Sequence, residues 1–185
     1  MSAEDAIKPE SVIDFWFSEI EPSSWWKKDA EFDALISKRF GKTHARAAKG
    51  ELYLWRDSPD GRLAEIIVLD QFSRNIFRDT AAAFACDPMA LALAQTAVEL
   101  GADESLPPAH CSFLYMPYMH SESLAIHDQA MKLFERNGDP TTIEFERRHR
   151  AIIQRFGRYP HRNEVLGRAS TEAELEFLEV PGSSF

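Results

Sequence analysis

Leu69-Asp70-Gln71-Phe72-Ser73-Arg74-Asn75-Ile76-Phe77-Arg78 sets charged and amide side chains into a strongly apolar helical segment. On a helical wheel at about 100° per residue, Ile66, Val68, Leu69, Phe72, Ile76 and Phe77 fill a broad apolar arc. Asp70, Gln71, Arg74, Asn75 and Arg78 share the remainder. One turn earlier, Leu63 and Ile67 project into that same polar arc, so neighbouring structure is expected to cover it and the helix to lie near the centre of the fold. Burying an unpaired polar group costs roughly 2–7 kcal/mol. These side chains must therefore satisfy one another or meet a ligand.

Outward from this segment the signals are helical, and nothing reads as a run of period-two strands. Ser58-Pro59 opens the helix, with serine as cap and proline at a position that needs no N–H. Asp87-Pro88 repeats the device, and an apolar pattern through Leu91, Ala94, Ala97 and Val98 runs to a stop at Gly101. Upstream, helices are expected over residues 9–19 and 25–48, the second carrying Phe32, Leu35, Ile36 and Phe40. Downstream, a helix follows Pro107-Pro108, and Pro117 should kink or end it. Ser121 then caps a helix to about residue 136, and Asp139-Pro140 opens another to Gly157. A turn at Tyr159-Pro160-His161 precedes a last short helix from Thr171. The expectation is one all-α domain, 1–185, of seven to nine helices whose short connections favour antiparallel hairpins. No repeat near the 34-residue period of tandem helical arrays is evident.

The composition, 44% hydrophobic with 28% charged residues, belongs to ordinary globular chains. A formal charge of −9 argues against nucleic acid or anionic membrane as a partner of the whole surface. Residues 1–9 lack the basic and apolar regions of a leader, and no run approaches the roughly 18 apolar residues of a membrane span. A cytoplasmic protein is expected. Cys86 and Cys111 have no metal-ligand spacing and read as reduced, buried thiols.

Three constellations carry possible chemistry. Asp70 and Arg74 stand at i,i+4 as an ion pair, and Arg78 extends the row. They form either a self-satisfied core network or, with Arg74, Asn75 and Arg78 facing a cleft, a site for a carboxylate or phosphate. The second is His120-Ser121-Glu122 beyond Pro117, where a capped helix start competes with an acid/base pair. The third is the window 147–168, with seven arginines against Glu164: it is formally +6 while the rest of the chain is −15. Within it, His149 falls on the inward face, and Arg155, Arg158, Tyr159, His161 and Arg162 follow closely. Glu146 and His149 have the i,i+3 spacing of carboxylate-bridged metal sites, but the second such pair is missing from the sequence. No metal is expected, and without a phosphate loop or dinucleotide fingerprint no cofactor is expected either. Trp16, Trp25, Trp26 and Trp55 read as packing residues.

Asp14-Phe15-Trp16-Phe17, Trp25-Trp26, Leu69–Asn75, Pro117–Glu122 and the block Arg155-Phe156-Gly157-Arg158-Tyr159-Pro160-His161-Arg162-Asn163 together resemble the bacterial family known as domain of unknown function 924. The resemblance covers most of the chain. It implies a tetratricopeptide-like all-helical fold, but no activity, cofactor or catalytic residue that can be carried over.

The leading functional expectation is a pocket for a small anionic ligand or acidic peptide. Arg74, Arg78, Arg155, Arg158 and Arg162 would supply charge, and Asn75, His120 and Tyr159 directional hydrogen bonds. A hydrolytic or phosphoryl-transfer enzyme is the alternative, with His120 or His161 as acid/base and Glu122 or Asp70 orienting it. A protein-interaction scaffold is the third reading.

Overall fold

The computed structural model describes residues 7–183; residues 1–6, part of the stretch read for a leader, lie outside it. Among the described residues there are eight α-helices and no strand. They are α1 (Pro9–Asp14), α2 (Ala30–Ala47), α3 (Pro59–Ile76), α4 (Asp87–Glu99), α5 (Pro108–Met119), α6 (Leu124–Asn137), α7 (Pro140–Phe156) and α8 (Glu172–Leu178). Helical turns of other pitch connect several of them, including a 3₁₀ turn at Pro160–Arg162.

The boundaries follow from local chemistry. Ser58 Oγ accepts the Gly61 N–H at 3.1 Å, and Asp139 accepts the N–H groups of Thr141 and Thr142. Thr171 and Glu174 form a reciprocal capping box on α8. Gly138 and Gly157 terminate α6 and α7 at φ of 80° and 69°, a left-handed conformation that a Cβ penalises.

Four expectations are corrected. The 25–48 helix starts only at Ala30, because Asp29 caps Glu31 and Phe32; Trp25 and Trp26 occupy a 3₁₀ turn before it. Trp26 is 62% and Leu35 46% exposed, so neither is a core residue. Pro117 neither breaks nor ends α5, which runs to Met119. The proline removes one ladder bond, but the next turn closes again with His120 N–H on Met116 O at 2.9 Å and residues Cys111 to Met119 are all buried. Ser121 does not cap α6; Ser123 holds that position without a side-chain cap.

As its wheel requires, α3 is central and packs against α1, α2, α4 and α5. Its residues 63–73 are buried without interruption, and Phe72 meets Phe15, Trp16 and Phe40 at 4.8–6.1 Å between ring centroids. The consecutive pairs α5–α6 and α6–α7 carry the packing onward. A smaller apolar cluster of Ile152, Ile153 and Tyr159, backed by Phe156 and Phe177, lies beyond this main core.

The stretch Ala81–Glu99 has the length and mean hydropathy (1.3) of a membrane span, contrary to the sequence expectation. It is not one helix: a turn separates a short 3₁₀ segment from α4, whose 13 residues fall short of the roughly 20 that cross a bilayer.

The caps give a direct test. Asp139→Ala should cost about 1 kcal/mol in urea unfolding, whereas Ser121→Ala should stay within about 0.5 kcal/mol of the parent chain.

Candidate functional site

Where the main core meets the smaller cluster, polar side chains from five elements converge. Asp70 in α3 is 1% exposed and carries the densest set of partners. Its Oδ1 lies 3.0 Å from Arg74 Nη1 and 2.7 Å from His120 Nδ1, while Oδ2 accepts from Gln71 at 2.6 Å. Burial opposes the charge on Asp70, but Arg74 and His120 outweigh it and hold the carboxyl well below the usual range. An ionised Asp70 can only accept, so Nδ1 of His120 carries the proton and Nε2 keeps its lone pair.

Arg74 reaches α4 as well, forking onto Asp87 with two bonds of 3.0 and 3.1 Å. Asp87 is not the cap that its proline neighbour suggested. The helix begins at Asp87 itself, with Cys86 at the cap position, which frees the carboxylate for arginine. Arg162, on the 3₁₀ turn, touches the same carboxylate at only 3.4 Å. Its guanidinium lies over the rings of Phe84 and Tyr159 at 4.6 and 4.5 Å, and its buried Nε has no hydrogen-bond partner.

The two arginines are therefore unequal. Burial disfavours both cations, but Asp70 and Asp87 more than compensate at Arg74 and raise its pKa. At Arg162 burial and the neighbouring Arg74 prevail and the pKa falls. The side chains of Arg74, Asp87, His120 and Arg162 keep 21, 16, 15 and 8% of their exposure, so none of the four is sealed as completely as Asp70.

The family model for bacterial proteins of unknown function, DUF924, matches residues 12–182. The chain belongs to the DUF924 family. A solved structure of a protein of unknown function from Agrobacterium tumefaciens is similar to this DUF924 chain at 37% identity and a TM-score of 0.88, covering 92% of this chain and 96% of that one. No curated protein matches it.

Tyr159 is the hub of the remaining cluster. In this DUF924 chain its ring is fully buried, and its hydroxyl donates to Met119 O at 2.5 Å, satisfying a carbonyl at the end of α5. His149 and His161 lie 5.8 and 5.5 Å from it, centroid to centroid. His127 lies 6.4 Å away. His149 donates Nδ1–H to Phe145 O at 2.7 Å. Burial brings its pKa down to about 3 and that of His161 to about 4.

His127 and Glu146 face each other, both fully buried, with Nδ1 and Oε1 2.7 Å apart. Spacing along the chain matches Glu146 with His149, but the fold turns Glu146 to His127 of α6 instead. Burial raises the Glu146 pKa. Among the described residues no group of side chains has the arrangement of a metal site.

Other candidates are committed elsewhere. Asn75 and Arg78 both bind Asp33 of α2, with bonds of 2.5–2.8 Å. Arg158 is forked onto Glu174. Arg155 is exposed and lies over Phe156. Glu122 does not pair with His120; it accepts from Arg168 and from the Tyr159 N–H. Of the five arginines expected to supply charge, Arg74 and Arg162 converge. Asp87, Arg168 and His127 were missed, because each is recruited by residues distant in sequence. A cavity of about 550 Å³ borders the cluster through His161 and Arg168.

Two outcomes follow. Arg74→Met should destabilise by about 3–5 kcal/mol, because it takes the cation from buried Asp70 and half-buried Asp87, whereas Arg162→Met should leave ligand-free stability within about 1 kcal/mol of the parent or raise it; urea unfolding compares them. His149 and His161 bind protons more readily in the unfolded chain, near 6.5, than in the folded one. Their contribution is complete above about pH 6.5 and is lost as pH falls toward 4 and below, at up to about 1.4 kcal/mol per pH unit for each. Unfolding measured from pH 7 to 4.5 should show that slope, and His149→Gln should flatten it.

Proposed function

We propose that this protein binds a small oxyanion, free or at the end of an acidic peptide, at Arg162 and the adjoining Arg74, which share Asp87. The observation that carries this reading is Arg162. A guanidinium with five donors is buried to 6% exposure, holds one long contact to a carboxylate that Arg74 already engages, and leaves a buried Nε unpartnered. Such a cation is costly unless an anion pairs with it, and planar guanidinium forks suit carboxylate and phosphate oxygens. Phe84 lies beneath both arginine side chains and holds them in place.

With the histidines neutral, Arg74 and Arg162 balance Asp70 and Asp87. An arriving anion therefore shifts the local charge negative and draws protons onto the imidazoles nearby. These imidazoles titrate below neutrality in the ligand-free protein, His161 at about 4, so affinity for the anion should rise as pH falls from about 6.5 toward 5, with net proton uptake measurable by titration calorimetry in buffers of different ionisation enthalpy.

Thermal shift with inorganic phosphate, pyrophosphate and citrate tests the reading. A ligand at about 100 times its Kd contributes about 2.7 kcal/mol, roughly 5–10 °C in Tm for a chain of this size. Arg162→Gln should abolish the response while the protein stays folded, and Arg155→Gln should retain it. Flat responses to all three anions, or an equal response from Arg162→Gln, would overturn the reading.

A further inference from the structure

We propose that Asp70 and His120 form the proton-transfer unit of a phosphomonoester hydrolase, acting on a substrate whose phosphate is held at Arg162 and Arg74. This rests on the oxyanion reading above and adds a reaction to it.

The geometry has the parts that such a step needs. His120 ends α5, where the chain turns out of the helix, and is held by one bond of 2.7 Å to a carboxylate that is itself buried and fixed by Arg74 and Gln71. That bond places the proton on Nδ1 and points the basic lone pair of Nε2 away from Asp70. His120 keeps 15% side-chain exposure, in contrast to the fully buried His127. Arg74 shares Asp70 with His120 and continues to Asp87, which Arg162 also contacts. A carboxylate ligand is filled by one fork, whereas the three terminal oxygens of a phosphate monoester can meet Arg162, the field of Arg74 and a nearby imidazole together. Developing charge on transferring phosphoryl oxygens is what arginine clamps stabilise.

The step balances with water as co-reactant. Nε2 takes a proton from a water molecule, and the freed electron pair of the water oxygen forms the new bond to phosphorus. The bond from phosphorus to the ester oxygen breaks with its electrons on that oxygen, which takes the proton from the imidazolium. The products are an alcohol and inorganic phosphate. Asp70 remains ionised throughout and faces the imidazolium. His120 is then the catalytic residue and Asp70 a positioning residue.

The groups around His120 set its pH behaviour: Asp70 and Arg74 on α3, Asp87 on α4, His149 on α7 and His161 on the 3₁₀ turn. Burial and Arg74 depress its pKa, and Asp70 opposes them. The acidic limb of the kcat/KM profile should therefore lie below 6.5, the ordinary histidine value, and removing the Asp70 charge should move it lower still.

The test is phosphate release from p-nitrophenyl phosphate and a panel of sugar and nucleoside monophosphates, with inorganic phosphate binding measured in parallel by calorimetry. His120→Gln should lower kcat/KM by about 100-fold or more while still binding inorganic phosphate. Asp70→Asn should lower it and shift the acidic limb downward, a change that a purely structural role would not produce. Arg155→Gln should match the parent. If inorganic phosphate binds but no ester is hydrolysed, or His120→Gln retains the parent rate, the hydrolase proposal fails and the binding reading stands. If inorganic phosphate does not bind, both fail for this anion. Should Asp70→Asn unfold, the protonation state of His120 followed by NMR in the parent protein decides: an imidazole with the proton on Nε2 at neutral pH would overturn the assignment.

Discussion

The ionised carboxylate of Asp70 is the constraint on which the rest of the polar centre depends. It lies in the buried stretch of the central helix, where a lone charge would be driven to neutralise or to unfold its surroundings. Arg74, one turn along, supplies the opposite charge, and His120 and Gln71 fill its remaining lone pairs. Meeting that demand docks the end of α5 onto α3, and Arg74, continuing to Asp87, joins α4 to the same point. Three helices are thereby registered against one another by a single buried anion.

Arg162 stands apart from the other arginines that the sequence singled out near the polar centre. Arg78, Arg158 and Arg168 each fork onto a carboxylate, as buried or half-buried guanidiniums do when the role is structural. Arg162 shares its acid with a better-placed neighbour and keeps a buried N–H without a partner. A core built only for stability gains from replacing such a group by an apolar side chain. It is linked through Asp87 and Arg74 to Asp70, the carboxylate that fixes the tautomer of His120.

Much of the fold was legible because its signals are local. Caps at Ser58, Asp139 and Thr171 and terminators at Gly138 and Gly157 act within one turn, so residues a few positions apart suffice to read them. The errors arise where a longer-range partner overrides the local signal. Pro117 fails to break α5 because burial on all sides sustains the helix. Asp87 fails to cap α4 because two arginines claim its carboxylate. Trp25 and Trp26 read as helical until Asp29 caps a later start.

The candidate site shows the same division. The i,i+4 pair of Asp70 and Arg74, the inward face of His149 and the buried polar arc of α3 follow from helical periodicity, and the sequence alone determined them along with the all-helical class and the family. Which arginines face one another, which acid meets which histidine, and that Asn75 and Arg78 are spent on Asp33 depend on contacts across 13 to 75 positions. Those were decided only by the tertiary structure, because a buried charge selects its partner by distance and desolvation in space, and spacing along the chain does not encode either.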